Sequence, residues 1–256
     1  MSHDNQKLTI TKDLGYILGV IYGDGYLSEN SIGLNVKDKD FALTFKTSLE
    51  KFFRKNAKLH SYNGLWCVLL HSRSAVKFLK KFDYHIIVNC SQDIKCAFLK
   101  GFYDSEGSAY YHEKTGVRNR KIELCNTNLE LLTFCKNLLQ VCGIKTLKIG
   151  ERIRKEREIK GRKLKPTIFF RFHLAENIEN LKLFKNLIGF SIMRKQKNLE
   201  KMIDSYIHPD RNKWLEFKEK VLHDSKVKRY SELRQEFYFI PKSVIDYWIY
   251  PKNSRK

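Results

Sequence analysis

The chain has 256 residues, 42% of them hydrophobic, enough for one large domain or two smaller ones around a sizeable core rather than a disordered chain. Lysine and arginine outnumber acids by 49 to 28, for a net charge of +21. That charge repels itself unless it meets a polyanion, so nucleic acid is the expected partner; a membrane is not, because no run approaches the ~18 apolar residues of a spanning helix.

The start, Met1 to Asp13, is polar and lacks the apolar stretch of a secretory leader, so an intracellular protein is expected. Residues 17–25 read ILGVIYGDG, a helix with a glycine in its middle and an acid before a closing glycine. Alternating YLSENSIGLNVK follows, with a turn near Glu29-Asn30. DFALTFKTSLEKFFRK is a helix that puts Phe41, Phe45, Leu49 and Phe52 on one face. AKLHSYNGLWCVLLH is a hairpin in which Asn63-Gly64 suits a type I′ turn, and SRSAVKFLKKF is another helix.

The order then returns. DIKCAFLKGFYDSEG repeats the first helix, and alternating AYYHEKTGVRNRKIELCN follows it. TNLELLTFCKNLLQVCG is a helix with Thr127 or Asn128 as cap and Gly143 as stop. A hairpin with a long basic tip, TLKIGERIRKEREIKGRKLKPTIFFRFHL, precedes helices near NIENLKLFKNL and SIMRKQKNLEKMI. The fold class is therefore α+β, with helices on one face of antiparallel sheets. The divisions fall at residues 1–92, 93–208 and 209–256. In the last segment RYSELRQEF and PKSVIDYWI read as two short helices around YFI, a helix-turn-helix or a helical cap. Phe98, Phe102, Phe134 and Phe184 join Phe41 and Phe45 as core, and Trp214 and Trp248 anchor the tail.

Six cysteines without a CxxC pair and eight histidines without HxxxH spacing speak against structural zinc and for reduced thiols. No GKS or GKT phosphate loop and no GxSxG elbow supports nucleotide hydrolysis or serine-type acyl transfer. The paired helices carry the chemistry instead. Gly15, Gly19 and Gly23 recur every fourth residue, and the matching positions hold Ala97, Gly101 and Ser105. Small residues on one helix face let two backbones approach closely. Packed face to face, the helices would end together and set Asp24 beside Glu106. Both the helix dipoles and the mutual repulsion oppose that pairing, and a divalent cation removes both costs. Oxygen ligands suit Mg²⁺ or Ca²⁺, and in a basic protein the natural substrate is a phosphodiester.

ILGVIYGDG and LKGFYDSEG resemble the two copies of the LAGLIDADG motif. Over roughly residues 10–205 the chain resembles a monomeric, two-repeat LAGLIDADG homing endonuclease, with a helical C-terminal extension besides. The resemblance implies two pseudo-symmetric αββαββα repeats whose sheets form a saddle in the DNA major groove. It implies Mg²⁺-dependent cutting of double-stranded DNA at a long specific site, leaving 3′ overhangs. Ca²⁺ or Mn²⁺ would substitute in binding or catalysis. Asp24 and Glu106 would bind metal, aided by the carbonyls of Gly23 and Ser105. The sixth motif position is Asp104 in the second copy and Tyr22 in the first.

The family also carries polar side chains that organise water or offset charge. Here they would be Lys37, or Val36 in its place, with Asn126 in the second repeat, and Lys195, with Arg194 next. Val36 would lack the polar group. Candidates for DNA contact are Ser28, Asn30, Asn35, Lys37, His60, Tyr62, His71 and Arg73 in the first repeat. In the second they are Tyr111, His112, Lys114, Arg118, Arg120, Lys121, Arg152, Arg154, Lys155, Arg157, Lys160, Arg162, Lys163 and Arg171. Some of these would meet phosphate only. The tail adds Lys242, Ser243 and Lys252. Two other readings are a non-catalytic transcription regulator and a splicing maturase acting on intron RNA.

Overall fold

A computed structural model gives the fold, describing residues 10–114, 117–159, 162–206, 211–237, 240 and 242–250. Helix α1 (Lys12–Ile21) starts at Thr11, whose hydroxyl accepts the Leu14 amide at 3.2 Å. Strands β1 (Tyr26–Leu27) and β2 (Ser31–Val36) follow, then α2 (Lys39–Phe53). Strands β3 (Lys58–Tyr62) and β4 (Leu65–His71) turn through Asn63 and Gly64, whose φ angles of 50° and 75° suit type I′. Helix α3 (Arg73–Leu79) and a 3₁₀ turn (Tyr84–Asn89) lead into the second half.

That half repeats the plan. Helix α4 (Gln92–Glu106) precedes β5 (Gly107–Lys114) and β6 (Val117–Asn126). Helix α5 (Leu129–Val141) is capped by Asn128, which accepts the Leu131 amide, and stops before Gly143 at φ 78°. Strand β7 (Gly150–Arg154) pairs with β10 (Thr167–His173), and α6 (Ile178–Leu187) and α7 (Met193–Asp204) close the repeat. The two sheets have the same order, β1-β2-β4-β3 and β5-β6-β10-β7, and all their pairings are antiparallel. This is the α+β, two-repeat arrangement that the sequence predicts. The basic tip adds β8 (Arg157–Ile159) and β9 (Arg162–Leu164), a two-stranded ribbon of its own.

One hydrophobic core runs through both repeats, with Phe41, Phe45, Phe98, Phe102, Phe134 and Phe184 in it. Alternation fixes the inner faces: Ile32, Leu34 and Val36 of β2, and Ile122 and Leu124 of β6, are buried. The tail has a separate cluster around Val221, Leu233, Phe237, Ile240 and Ile245, which Trp214 and Trp248 join edge to face at 5.3 Å. Besides α9 (Tyr230–Glu236) and α10 (Lys242–Ile249) it contains α8 (Arg211–Asp224), a helix the sequence reading left out. Its signal was present: Trp214, Phe217 and Val221 recur at three- and four-residue spacing. No described helix is long and apolar enough to cross a membrane.

Candidate active site

Helices α1 and α4 pack in parallel with almost no side chain between them. A β-carbon on Gly19 would lie 2.1 Å from the Phe98 carbonyl oxygen, and one on Gly101 would lie 2.3 Å from that of Tyr16. Only glycine allows such backbone contact. Gly23 departs from the helical reading. The helix ends at Ile21, and Gly23 sits in the following turn, its amide bound to the Val20 carbonyl at 3.0 Å. It still meets the partner helix, because a β-carbon there would lie 2.3 Å from Ser105 Cβ.

Asp24 and Glu106 follow that contact directly, and the same Gly23 position is 3.5 Å from Glu106 Cγ. Among the described residues neither carboxylate has a hydrogen bond or ion pair. Lost hydration pushes the Asp24 carboxyl up, though its residue keeps an exposed edge, and nearby Lys195 partly offsets this. Glu106 is pushed up to about 7, first by burial and then by Asp24. Two neighbouring carboxylates that Lys195 offsets only in part fit an oxygen-liganded divalent cation. Among the described residues no group of three or more His, Cys, Asp or Glu side chains could hold a metal. The remaining ligands would therefore be carbonyls such as those of Gly23 and Ser105, phosphate and water.

Lys195 is buried and donates to the carbonyls of Tyr103 at 3.1 Å and Asp104 at 2.7 Å. These are carbonyls at the end of α4, where a cation is favoured. Burial nevertheless brings its ammonium down to about 8. Arg194 lines a cleft with Asp24 and Lys195, its guanidinium engaged in a two-pronged bond to Asp38. Asp104 is buried in the core side of the site and accepts hydrogen bonds from Tyr16 Oη, the Ser191 amide and Ser191 Oγ. Its burial raises its pKa against those bonds, so its role here is to hold α1, α4 and the Ser191 turn together.

Two clefts flank the carboxylates. The first, about 250 Å³, is lined by Asp24, Asn35, Val36, Lys37, Asp38, Ser105 and Lys195. The second, about 160 Å³, is lined by Glu106, Cys125, Asn126, Thr127, Arg154, Thr167 and Phe169. They correspond element by element. The end of β2 lines one and the end of β6 lines the other, each just before the N-cap of the next helix, Asp38 or Asn128.

Residues 93–189 match the family described as LAGLIDADG-like domain. The uncharacterized protein MJ0398 of Methanocaldococcus jannaschii is 31% identical over 212 residues, 77% of this chain and 74% of that protein. The chain belongs to the LAGLIDADG family. MJ0314, another uncharacterized protein of that organism, is 31% identical over 150 residues, 54% of this chain. That match spans little more than half of MJ0314, 57% of its length. A crystal structure of I-DmoI in complex with DNA and Ca superposes on 76% of this chain and 100% of its own, with a TM-score of 0.51. At 14% identity the likeness to I-DmoI is one of fold.

On this LAGLIDADG scaffold, strand register places the other candidates. Asn35, Lys37, His60, Tyr62 and His71 share the open face of the first sheet. His71 is already bonded there, its Nδ1 2.8 Å from Ser31 Oγ. Ser28 locks the β1–β2 turn onto Ser31, Asn30 lies in that turn, and Arg73 opens α3. His112, Lys121, Arg152, Arg154 and Arg171 share the open face of the second sheet, with Arg171 tied to Glu123 at 2.9 Å. Lys155 follows β7 and is exposed.

Tyr111 and Arg120 lie on the opposite face. Tyr111 packs on the core, and Arg120 donates to Ser205 Oγ at 2.7 Å with its guanidinium over the Tyr206 ring. Period-two alternation turns them inward, paired with each other across β5 and β6. Lys114, Arg118, Arg157, Arg162, Lys163 and Ser243 have side chains outside the described residues, and Lys160 and Lys252 lie outside altogether. Lys242 is exposed at the start of α10. Sequence reasoning missed Cys125, Thr127, Thr167 and Phe169 beside Glu106, and Tyr26, which lies over Gly33 on the first open face. Strand parity would have found them, given the register of the long second hairpin.

Proposed function

We propose that the chain is a site-specific double-stranded DNA endonuclease that uses Mg²⁺ to hydrolyse one phosphodiester in each strand. The observation that carries this reading is the pair Asp24 and Glu106, brought together at the ends of parallel helices and, among the described residues, without a hydrogen-bond or ion-pair partner. A bound divalent cation supplies charge to the phosphate and acidifies the attacking water. The protein does the rest. Asp24 and Glu106 would hold the cation, with Gly23 and Ser105 offering carbonyls. Lys195, fixed by two carbonyls, sets a positive charge beside the reacting phosphate. Lys37 and Asn126 border the two clefts as water- or phosphate-orienting groups. The open sheet faces, with the net charge of +21, bind the duplex.

On this reading residues 1–92 and 93–208 are the two half-sites and one chain acts as a monomer within the cell. Residues 209–256 form an additional DNA-contacting helical module built on a helix-turn-helix.

The test is cleavage of a randomised duplex pool with Mg²⁺, beside Asp24→Asn and Glu106→Gln. Cut ends sharing a long motif, absent with either variant, support the endonuclease. Specific binding without cutting, equal in all three proteins, would make the chain a DNA-binding regulator. Selection of folded intron RNA over duplex DNA would make it a maturase.

A further inference from the structure

The two clefts differ in the cations that line them. Lys195, delivered by a helix, acts on both carboxylates and lines the first cleft together with Lys37 and Arg194. The second cleft, which Glu106 lines, has Arg154 as the one cation among the described residues of its lining, delivered by a strand. The reason is hairpin length. In the first sheet β3 and β4 turn at once after the Tyr62–Leu65 pair. The pair equivalent to it by register in the second sheet is Arg152–Phe169, and there β7 runs on to pair Arg154 with Thr167. Arg154 therefore has no counterpart in the first repeat. Its guanidinium carbon lies 5.3 Å from the Phe169 ring centroid, which braces the side chain without using its N–H donors. Among the described residues no carboxylate pairs with it.

We propose that Arg154 is a catalytic residue of the Glu106 half-site, binding the phosphate cut on that side through its guanidinium N–H groups. This rests on the endonuclease reading. Water oxygen bonds to phosphorus, one ester P–O bond breaks, the released alkoxide takes up a proton, and the water proton passes to solvent. The guanidinium of Arg154 offsets charge on the non-bridging oxygens. A planar fork fits two such oxygens, whereas Lys offers a point charge.

The experiment uses the duplex recovered from the randomised pool, each strand separately labelled, with wild type, Arg154→Ala and Arg154→Lys. Arg154→Ala is expected to slow cutting of one strand about 100-fold, leave the other near wild type, and accumulate nicked DNA. Arg154→Lys should recover part of that loss. In Ca²⁺ without cutting, or in EDTA, Arg154→Ala should lower the salt dependence of binding by about one phosphate contact, with the order of base variants unchanged. Equal slowing of both strands, or relaxed base selectivity with an unchanged salt slope, overturns the proposal and makes Arg154 a base-reading or structural residue. A wild-type protein that cuts neither strand overturns the endonuclease reading itself, an outcome distinct from strand-neutral behaviour of the variants.

Discussion

The guanidinium of Arg194 donates to both carboxylate oxygens of Asp38, each at 2.8 Å, and so joins the last helix of the second repeat to the first repeat. The Met193 amide adds a bond to Asp40. Together these fix the start of α7 at Met193 and Arg194, the two residues before Lys195. Asp38→Ala should lower DNA cutting about tenfold by loosening Lys195, while costing at most ~1 kcal/mol of stability, since the Arg194 side chain is 67% exposed. Urea unfolding run beside the cleavage assay checks this. An equal loss in both would mean the bridge is merely structural.

Gly19→Ala should destabilise the protein by about 2–3 kcal/mol, because the added methyl would press on the Phe98 backbone and no flexible side chain can yield. Gly150→Ala is the control, with nothing within 4 Å of its added carbon, and should stay within about 0.5 kcal/mol of wild type. Urea midpoints at unchanged m values distinguish the two.

Glu106→Gln should raise the melting temperature in EDTA, because it removes one of two crowded carboxylates and their repulsion. Added Mg²⁺ should raise the melting temperature of wild type, by preferential binding to the folded state, and leave the variant nearly unmoved. An identical Mg²⁺ response in both proteins would place the cation elsewhere.

Glu50 accepts from Lys46 Nζ at 2.7 Å on each oxygen and from the Ala57 amide at 2.9 Å, and these bonds hold its carboxyl below the ordinary value. A depressed folded pKa stabilises above the unfolded pKa and is lost as pH falls through the folded one. Glu50→Gln should therefore cost about 0.5 kcal/mol at pH 7 and nothing at pH 2, the small size following from partial exposure. Unfolding curves at both pH values check the sign.

The tail residues Trp214 and Trp248 pack on their own cluster, apart from the main core. A chain ended at Tyr206 should keep the melting temperature of the LAGLIDADG unit within a few degrees. Trp248→Ala should erase tail packing in near-ultraviolet circular dichroism and leave that temperature unchanged. A large drop on truncation would make the tail part of one cooperative unit.

In the sequence, local spacing is enough to predict the repeat, the facing small residues and the approach of Asp24 to Glu106. Small residues four apart, Gly15 and Gly19 on one helix and Ala97 and Gly101 on the other, define the facing sides, and each acid falls just past that contact. Helix caps and the Asn63-Gly64 turn were legible for the same reason, since each depends on a few neighbouring residues. Register was not local. Whether Arg120 faces DNA or Ser205, and whether Arg154 lines the cleft of Glu106, depends on which residues pair across a long hairpin, and a one-residue slip reverses every face. The choice between Arg194 and Lys195 likewise needed the tertiary structure, because both begin one helix and differ only in what the folded chain sets before them: Asp38 for one, the carbonyls of Tyr103 and Asp104 for the other.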